Sequence, residues 1–196
     1  MGIFNKKNEY EELNTMTFGM AADALDAVKI VDEKMQQFDD DSPVVNAALV
    51  LIPGYALGLY LIMLTDSYAK RRLGEISNAS QQTFMNIVNE KFAMAILNYL
   101  IFEKHTTEEV ARSNVESILG MARALYDRLA TKAVSKGGDI LANMMEEAPM
   151  IMVDDAVRYA QIAKDSTEAD ALLKIANRIA KVFQKRYEEK WLPFLN

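Results

Sequence analysis

Residues 44–64, VVNAALVLIPGYALGLYLIML, are 21 consecutive positions without a charge. A run of this kind has two physical destinations. It meets the roughly 20 residues a helix needs to cross a bilayer core, and a helix apolar on all sides is also what the middle of a soluble bundle requires. Asn46, the Pro53 and Gly54 pair at its centre and the tyrosines Tyr55 and Tyr60 deep inside it favour the buried helix, because membrane spans keep their aromatic polar tips near the ends. Gly54 and Gly58 are spaced for close helix packing in either setting. Pro53 removes a backbone donor and collides with the preceding turn, which predicts a kink near Ile52. The reading is therefore a central, Pro-kinked core helix. A membrane-inserting or membrane-anchored segment over 44–64 is the alternative, either standing alone or sheltered in a soluble form and released onto a membrane.

The remaining segments supply the helices that would cover it. In Tyr10 to Phe38, Ala21, Ala24, Val28, Val31, Met35 and Phe38 recur at helical steps of three and four. Ser42 and Pro43 then read as N-cap and first residue of the apolar helix, which continues to Lys70, Arg71, Arg72 and the candidate C-cap Gly74. A third helix is predicted from Asn78 or Ser80 to Lys104, with Phe84, Val88, Phe92, Ala95, Tyr99 and Phe102 along one side. Thr106 and Glu109 have capping-box spacing, and Ala111, Val115, Ile118, Ala122, Leu125 and Leu129 mark a fourth helix that stops at Gly137 and Gly138. Pro149 predicts a break between a short helix over 140–148 and another over 150–164. The last helix runs from Thr167 to Lys190 on Ala169, Leu172, Ala176, Ile179 and Phe183. The expected fold is thus all-α: one domain over 1–196, a bundle of about seven helices, with no convincing period-two alternation and no repeat.

Charge is uneven. Residues 1–43 hold four lysines against ten acids, and 44–196 hold 18 of each sign, so the net charge of −6 is entirely N-terminal. Such a chain would be repelled from polyphosphate, and no nucleic-acid partner is expected. Near the other end, Lys174, Arg178, Lys181 and Lys185 fall on one helix face, followed by the apolar tail Trp191, Leu192, Pro193, Phe194 and Leu195. The acidic first helix and the basic last one look complementary, within one subunit or between two; such pairs fix orientation and partner choice more than stability.

No catalytic constellation is visible. The chain has no cysteine, which excludes disulfides, thiolate chemistry and Cys-ligated metals, and nothing points away from the cytoplasm. Met1 to Tyr10 is polar and does not read as a secretory signal; Lys6 stands where a myristoylation motif needs Ser or Thr. His105, the single histidine, rules out a paired-His zinc site and reads as a helix-end group. Asp39 to Asp41, Glu108 with Glu109, Glu146 with Glu147, and Asp154 with Asp155 are adjacent acids that splay about 100° apart on a helix and lack calcium-loop spacing. Gly137 and Gly138 have no phosphate-loop sequel. Met144, Met145, Met150 and Met152 around Pro149 read as adaptable core or as an apolar groove; with Phe92, Tyr99 and Phe102 they offer a small apolar-ligand pocket as a further alternative. The expectation is a non-catalytic, cofactor-free interaction or assembly protein that self-associates, with Lys174, Arg178, Lys181, Lys185, Trp191 and Phe194 as partner contacts.

Overall fold

The computed structural model describes residues 6–30, 42–72, 78–136 and 138–195, and these residues are all-helical. Six helices stand among them: α1 (Lys6–Leu25, tightened into a 3₁₀ turn at Asp26–Ile30), α2 (Pro43–Arg72), α3 (Asn78–Asn98, widened into a π turn at Tyr99–Glu103), α4 (Glu108–Lys136), α5 (Ile140–Ala160) and α6 (Thr167–Arg186). After α6 comes a π turn, Tyr187–Trp191, and a closing turn, Leu192–Leu195.

Local chemistry explains most boundaries. Ser42 caps α2, its Oγ accepting from the Val44 amide at 3.3 Å. Asp139 and Ser166 cap α5 and α6 by accepting from the amides of Ala142 and Ala169, each at 3.1 Å. Gln161 ends α5 in the left-handed conformation, φ 55°, where the amides of Gln161 and Ile162 both return to the Val157 carbonyl.

Two expectations change. The two helices anticipated on either side of Pro149 are one, α5, which continues to Ala160. A proline inside a helix costs about 3 kcal/mol, yet Met144, Ala148, Ile151 and Met152 form one buried face across it, and that face is lost if the helix breaks. Thr107, rather than Thr106, stands before α4 and accepts from the Val110 amide at 3.5 Å; the Thr106 hydroxyl instead donates to the Leu100 carbonyl. The described part of the first helix runs through α1 to Leu25 and its 3₁₀ turn to Ile30; the anticipated continuation through Val31, Met35 and Phe38, with Asp39 to Asp41, Gly74 and Gly137, lies outside the described residues.

Side-chain pairings fix the directions of the helices. Gly54 meets Ile118 and Met121 while Gly58 meets Ala122 and Leu125, so α2 and α4 run parallel. The Tyr55 hydroxyl donates to the Ala176 carbonyl at 3.4 Å and the Tyr187 hydroxyl to the Met63 carbonyl at 3.1 Å, so α6 runs with them. Lys91 reaches Asn14, and the Tyr99 hydroxyl reaches Asp26 at 2.8 Å, so α3 runs parallel to α1. Between α4 and α5 the order reverses: Arg128 pairs with Asp155 at 2.6 Å and Lys132 with Glu147 at 3.5 Å. Successive helices therefore alternate up and down. These ion pairs are more than a third exposed on the basic side, which limits what they add. Accordingly, Asp155→Asn is expected to lower the unfolding free energy by no more than about 1 kcal/mol in urea titration.

Helix α2 packs against α1, α4, α5 and α6, while α3 joins α1 to α4. Every residue from Ile52 to Thr65 is buried, Pro53, Gly54 and Gly58 among them. The helix is continuous through Pro53. The carbonyl of Leu49, which loses its helical donor to that proline, belongs to a residue 47% exposed, where water can replace the donor. Pro43–Ser67, 25 residues whose most apolar 18-residue window has a mean hydropathy of 2.1, is long and apolar enough to cross a membrane, but 78% of that window is buried inside the bundle.

Candidate functional site

Two acids on α1 organise the structure around it. Asp23 accepts a hydrogen bond from the Tyr60 hydroxyl of α2 at 3.1 Å and faces Arg186 at 3.6 Å and Lys190 at 3.8 Å. One turn earlier, Gly19 leaves a notch that the Trp191 indole fills. A Cβ built on Gly19 would lie 2.1 Å from the ring, so only glycine admits this contact. Trp191 is 3% exposed, Lys190 stacks over its ring at 4.2 Å, and Tyr60 and Phe183 meet beneath with ring centroids 4.8 Å apart. The indole N–H is a buried donor with no partner at hydrogen-bond geometry. Burial pushes the Tyr60 phenol up, and the negative charge of Asp23 pushes it further.

Asp26 forms the second centre. It receives hydrogen bonds from Tyr99 at 2.8 Å and Lys104 at 3.1 Å and an ion pair from Lys29 at 3.0 Å, and Lys104 lies over the Tyr99 ring at 5.3 Å. Burial alone would raise the Asp26 carboxyl; the hydrogen bonds from Lys29, Tyr99 and Lys104 outweigh it and hold the group below the ordinary carboxylate value. These contacts set the register of α1 on α3. Phe18 stands one turn beyond Asn14, and Met94 one turn beyond Lys91, so the two large apolar side chains follow each other along the outside of the same seam. Phe18 is 43% exposed, Met94 58% and, further along α3, Phe102 69%. Ile87 precedes Met94 by two turns and is 39% exposed, with the exposed Glu90 between them.

The residues singled out in the sequence are distributed between surface and core. Lys174, Arg178, Lys181 and Lys185 all lie exposed on α6, and Lys185 faces Glu189 at 3.8 Å. The pairing of the acidic first helix with the basic last one occurs within the chain, but through Asp23 with Arg186 and Lys190 rather than through that stripe. Trp191 is sunk in its own chain; Phe194, 44% exposed, rests against it at 6.1 Å between ring centroids. Gly54 and Gly58 bring α2 onto α4 so closely that a Cβ on either would fall 2.6 Å from Met121 Cβ and 2.8 Å from Leu125 Cδ2 respectively. Met144 and Met152 are buried, Met145 is half-buried, and Met150 is exposed. Phe92 and Tyr99 are buried whereas Phe102 points to solvent, so these three do not line one pocket. His105 is exposed in the turn between α3 and α4 at φ 53°. Among the described residues no three His, Asp or Glu side chains are grouped as a metal site.

No family model, curated protein or solved structure matches this chain. Its function must be read from its own surfaces. Sequence reasoning passed over Gly19 and Asp23. The signal for Gly19 was present, since an isolated glycine inside a helical pattern costs about 1 kcal/mol and implies a packing reason. Asp23 carries no comparable mark among ten N-terminal acids.

Proposed function

We propose that this chain is a non-catalytic helical assembly protein that associates with a second copy of itself through the outer face of α1 and α3. The observation that supports this reading is the run of large apolar side chains, Phe18, Ile87, Met94 and Phe102, left 39% to 69% exposed on two adjacent parallel helices. Solvent-facing helix positions accept polar residues at no cost to the fold, and clustered apolar ones mark interaction surfaces. The paired polar centres on either side, Asn14 with Lys91 and Asp26 with Tyr99 and Lys104, hold the two helices in one register and keep the face preformed.

Light scattering coupled to gel filtration at micromolar concentration tests it. A dimer or larger assembly is expected for the natural chain, and a monomer of unchanged circular dichroism for Phe18→Ser combined with Met94→Ser. A monomeric natural chain would overturn the reading.

A second reading is insertion of residues 44–64 into a bilayer. What favours it is that, beside the exposed Asn46, α2 leaves the apolar Leu49 and Val50 in water, at 47% and 39% exposure. Flotation with neutral and anionic vesicles separates the two readings: the assembly protein stays at the bottom of the gradient, and the inserting protein rises with the lipid.

A further inference from the structure

We propose that the C-terminal turn, Tyr187 to Leu195, is a strap that holds α1 on the bundle and whose opening releases α1 as a unit. This inference goes beyond the assembly reading and does not depend on it.

Among the described residues of α1 and its 3₁₀ turn, the buried apolar side chains are Met16, Met20, Ala21, Ala24 and Ala27, with Leu13 and Leu25 packed half-buried against the core. Three of the five buried ones are alanines, each of which brings little apolar area. A large further contribution comes from outside α1, from the Trp191 indole seated in the Gly19 notch. The polar hold has the same source, because two of the three groups that meet Asp23, Arg186 and Lys190, belong to the end of α6 and the turn after it.

The closed strap also carries features that favour opening. The buried indole N–H has no hydrogen-bond partner, and water would supply one as soon as the ring swings out. Arg186 and Lys190 are 42% and 55% exposed and stand 3.6 Å and 3.8 Å from Asp23, beyond good hydrogen-bond length, so salt screens them. Tyr187 is fixed by its hydrogen bond to the Met63 carbonyl, which places the pivot in the π turn that follows. With the strap open, α1 retains its contacts with α2 and α3, including those of Asp23 with Tyr60 and of Asp26 with Tyr99, but loses the indole that fills the Gly19 notch and the ion pair from Lys190.

Hydrogen exchange on the full chain tests the proposal. In Gly19→Ala the new methyl occupies the space of the indole while raising the intrinsic helicity of α1; any loosening of α1 then arises from eviction of the ring. The expected result is a red shift of the emission of Trp191, the single tryptophan, and exchange in α1 about tenfold faster with α4 and α5 within about twofold of the natural chain. Trp191→Ala should give the same loosening, and Asp23→Asn, which spares the Tyr60 contact, a smaller one in the same helix. In the natural chain, α1 and strap amides should share an opening of lower free energy than that of α4. Unchanged α1 exchange in both ring-displacing variants, or acceleration spread evenly over α1, α4 and α5, would overturn it. Should the variants fail to fold, natural-chain α1 and strap amides exchanging only together with α4 would do the same.

Discussion

Gly54→Val is expected to lower the unfolding free energy by about 3 kcal/mol, the upper part of the range for overpacked cores, which is a large share of the roughly 5–15 kcal/mol typical of a domain. The nearest atom to the added Cβ is Met121 Cβ at 2.6 Å, followed by Met121 Cε at 3.1 Å and the Ile118 carbonyl oxygen at 3.2 Å. The Met121 Cε end can swing away, but Met121 Cβ and the Ile118 carbonyl are fixed to the α4 backbone, so α2 and α4 must move apart. Gly58→Ala is the informative comparison. There the first obstacle is Leu125 Cδ2 at 2.8 Å, a methyl that can rotate away. The gain of about 1 kcal/mol in helix propensity then offsets much of the strain. Chemical denaturation of the two variants should rank them in that order by a clear margin. Equal losses would mean that the two glycines do not differ in what they face.

Alkaline pH should unfold the protein in a transition that begins near the ordinary phenol value of about 10. Burial pushes the Tyr187 phenol up to about 12, partly relieved by a hydrogen bond from Ser67 and reinforced by the charge of Asp66. It also raises Tyr55 and Tyr60 strongly. A raised acid keeps its proton longer in the folded state, so between the unfolded and folded values the native chain binds more protons than the unfolded one, and stability falls as pH rises. The contribution of Tyr187 is complete below about pH 10 and lost by about pH 12, a change of roughly 3 kcal/mol. Tyrosinate absorbance and far-ultraviolet circular dichroism should therefore change together for part of the phenols, after a first group has titrated without structural change. Smooth titration of all eight tyrosines with helicity intact would contradict the burial of Tyr55, Tyr60 and Tyr187.

Much of the helical frame was legible because it follows from local rules. The 3 and 4 spacing of Ala111 to Leu129 and of Ala169 to Phe183 became the buried faces of α4 and α6. Ser42 capped α2 where its side chain and the following proline indicated. The reading faltered where a distant partner decides. Pro149 reads as a break, and only the continuous buried face of α5 keeps the helix whole. Gly19 finds its purpose in a side chain 172 positions further on, as the numbers of Gly19 and Trp191 show, and no periodicity of α1 announces that tryptophan. The basic stripe at Lys174 to Lys185 was easy to see, but which cations of α6 meet α1 depends on the rotation and axial position of one helix against another, and these fall to Arg186 and Lys190. The outer apolar face of α1 and α3 was hidden for the same reason: Phe18 and Met94 become neighbours only once the two helices lie parallel in register.

The order in which α2 meets its neighbours matters during synthesis. Three of the four helices that pack on it, α4, α5 and α6, follow it in the chain. As the polypeptide leaves the ribosome, the uncharged stretch 44–64 therefore emerges before three of the helices that cover it, and the Gly19 notch waits for a ring made 172 positions later. Through that interval the apolar stretch faces water, and its burial is complete only when α6 and the turn after it have been made.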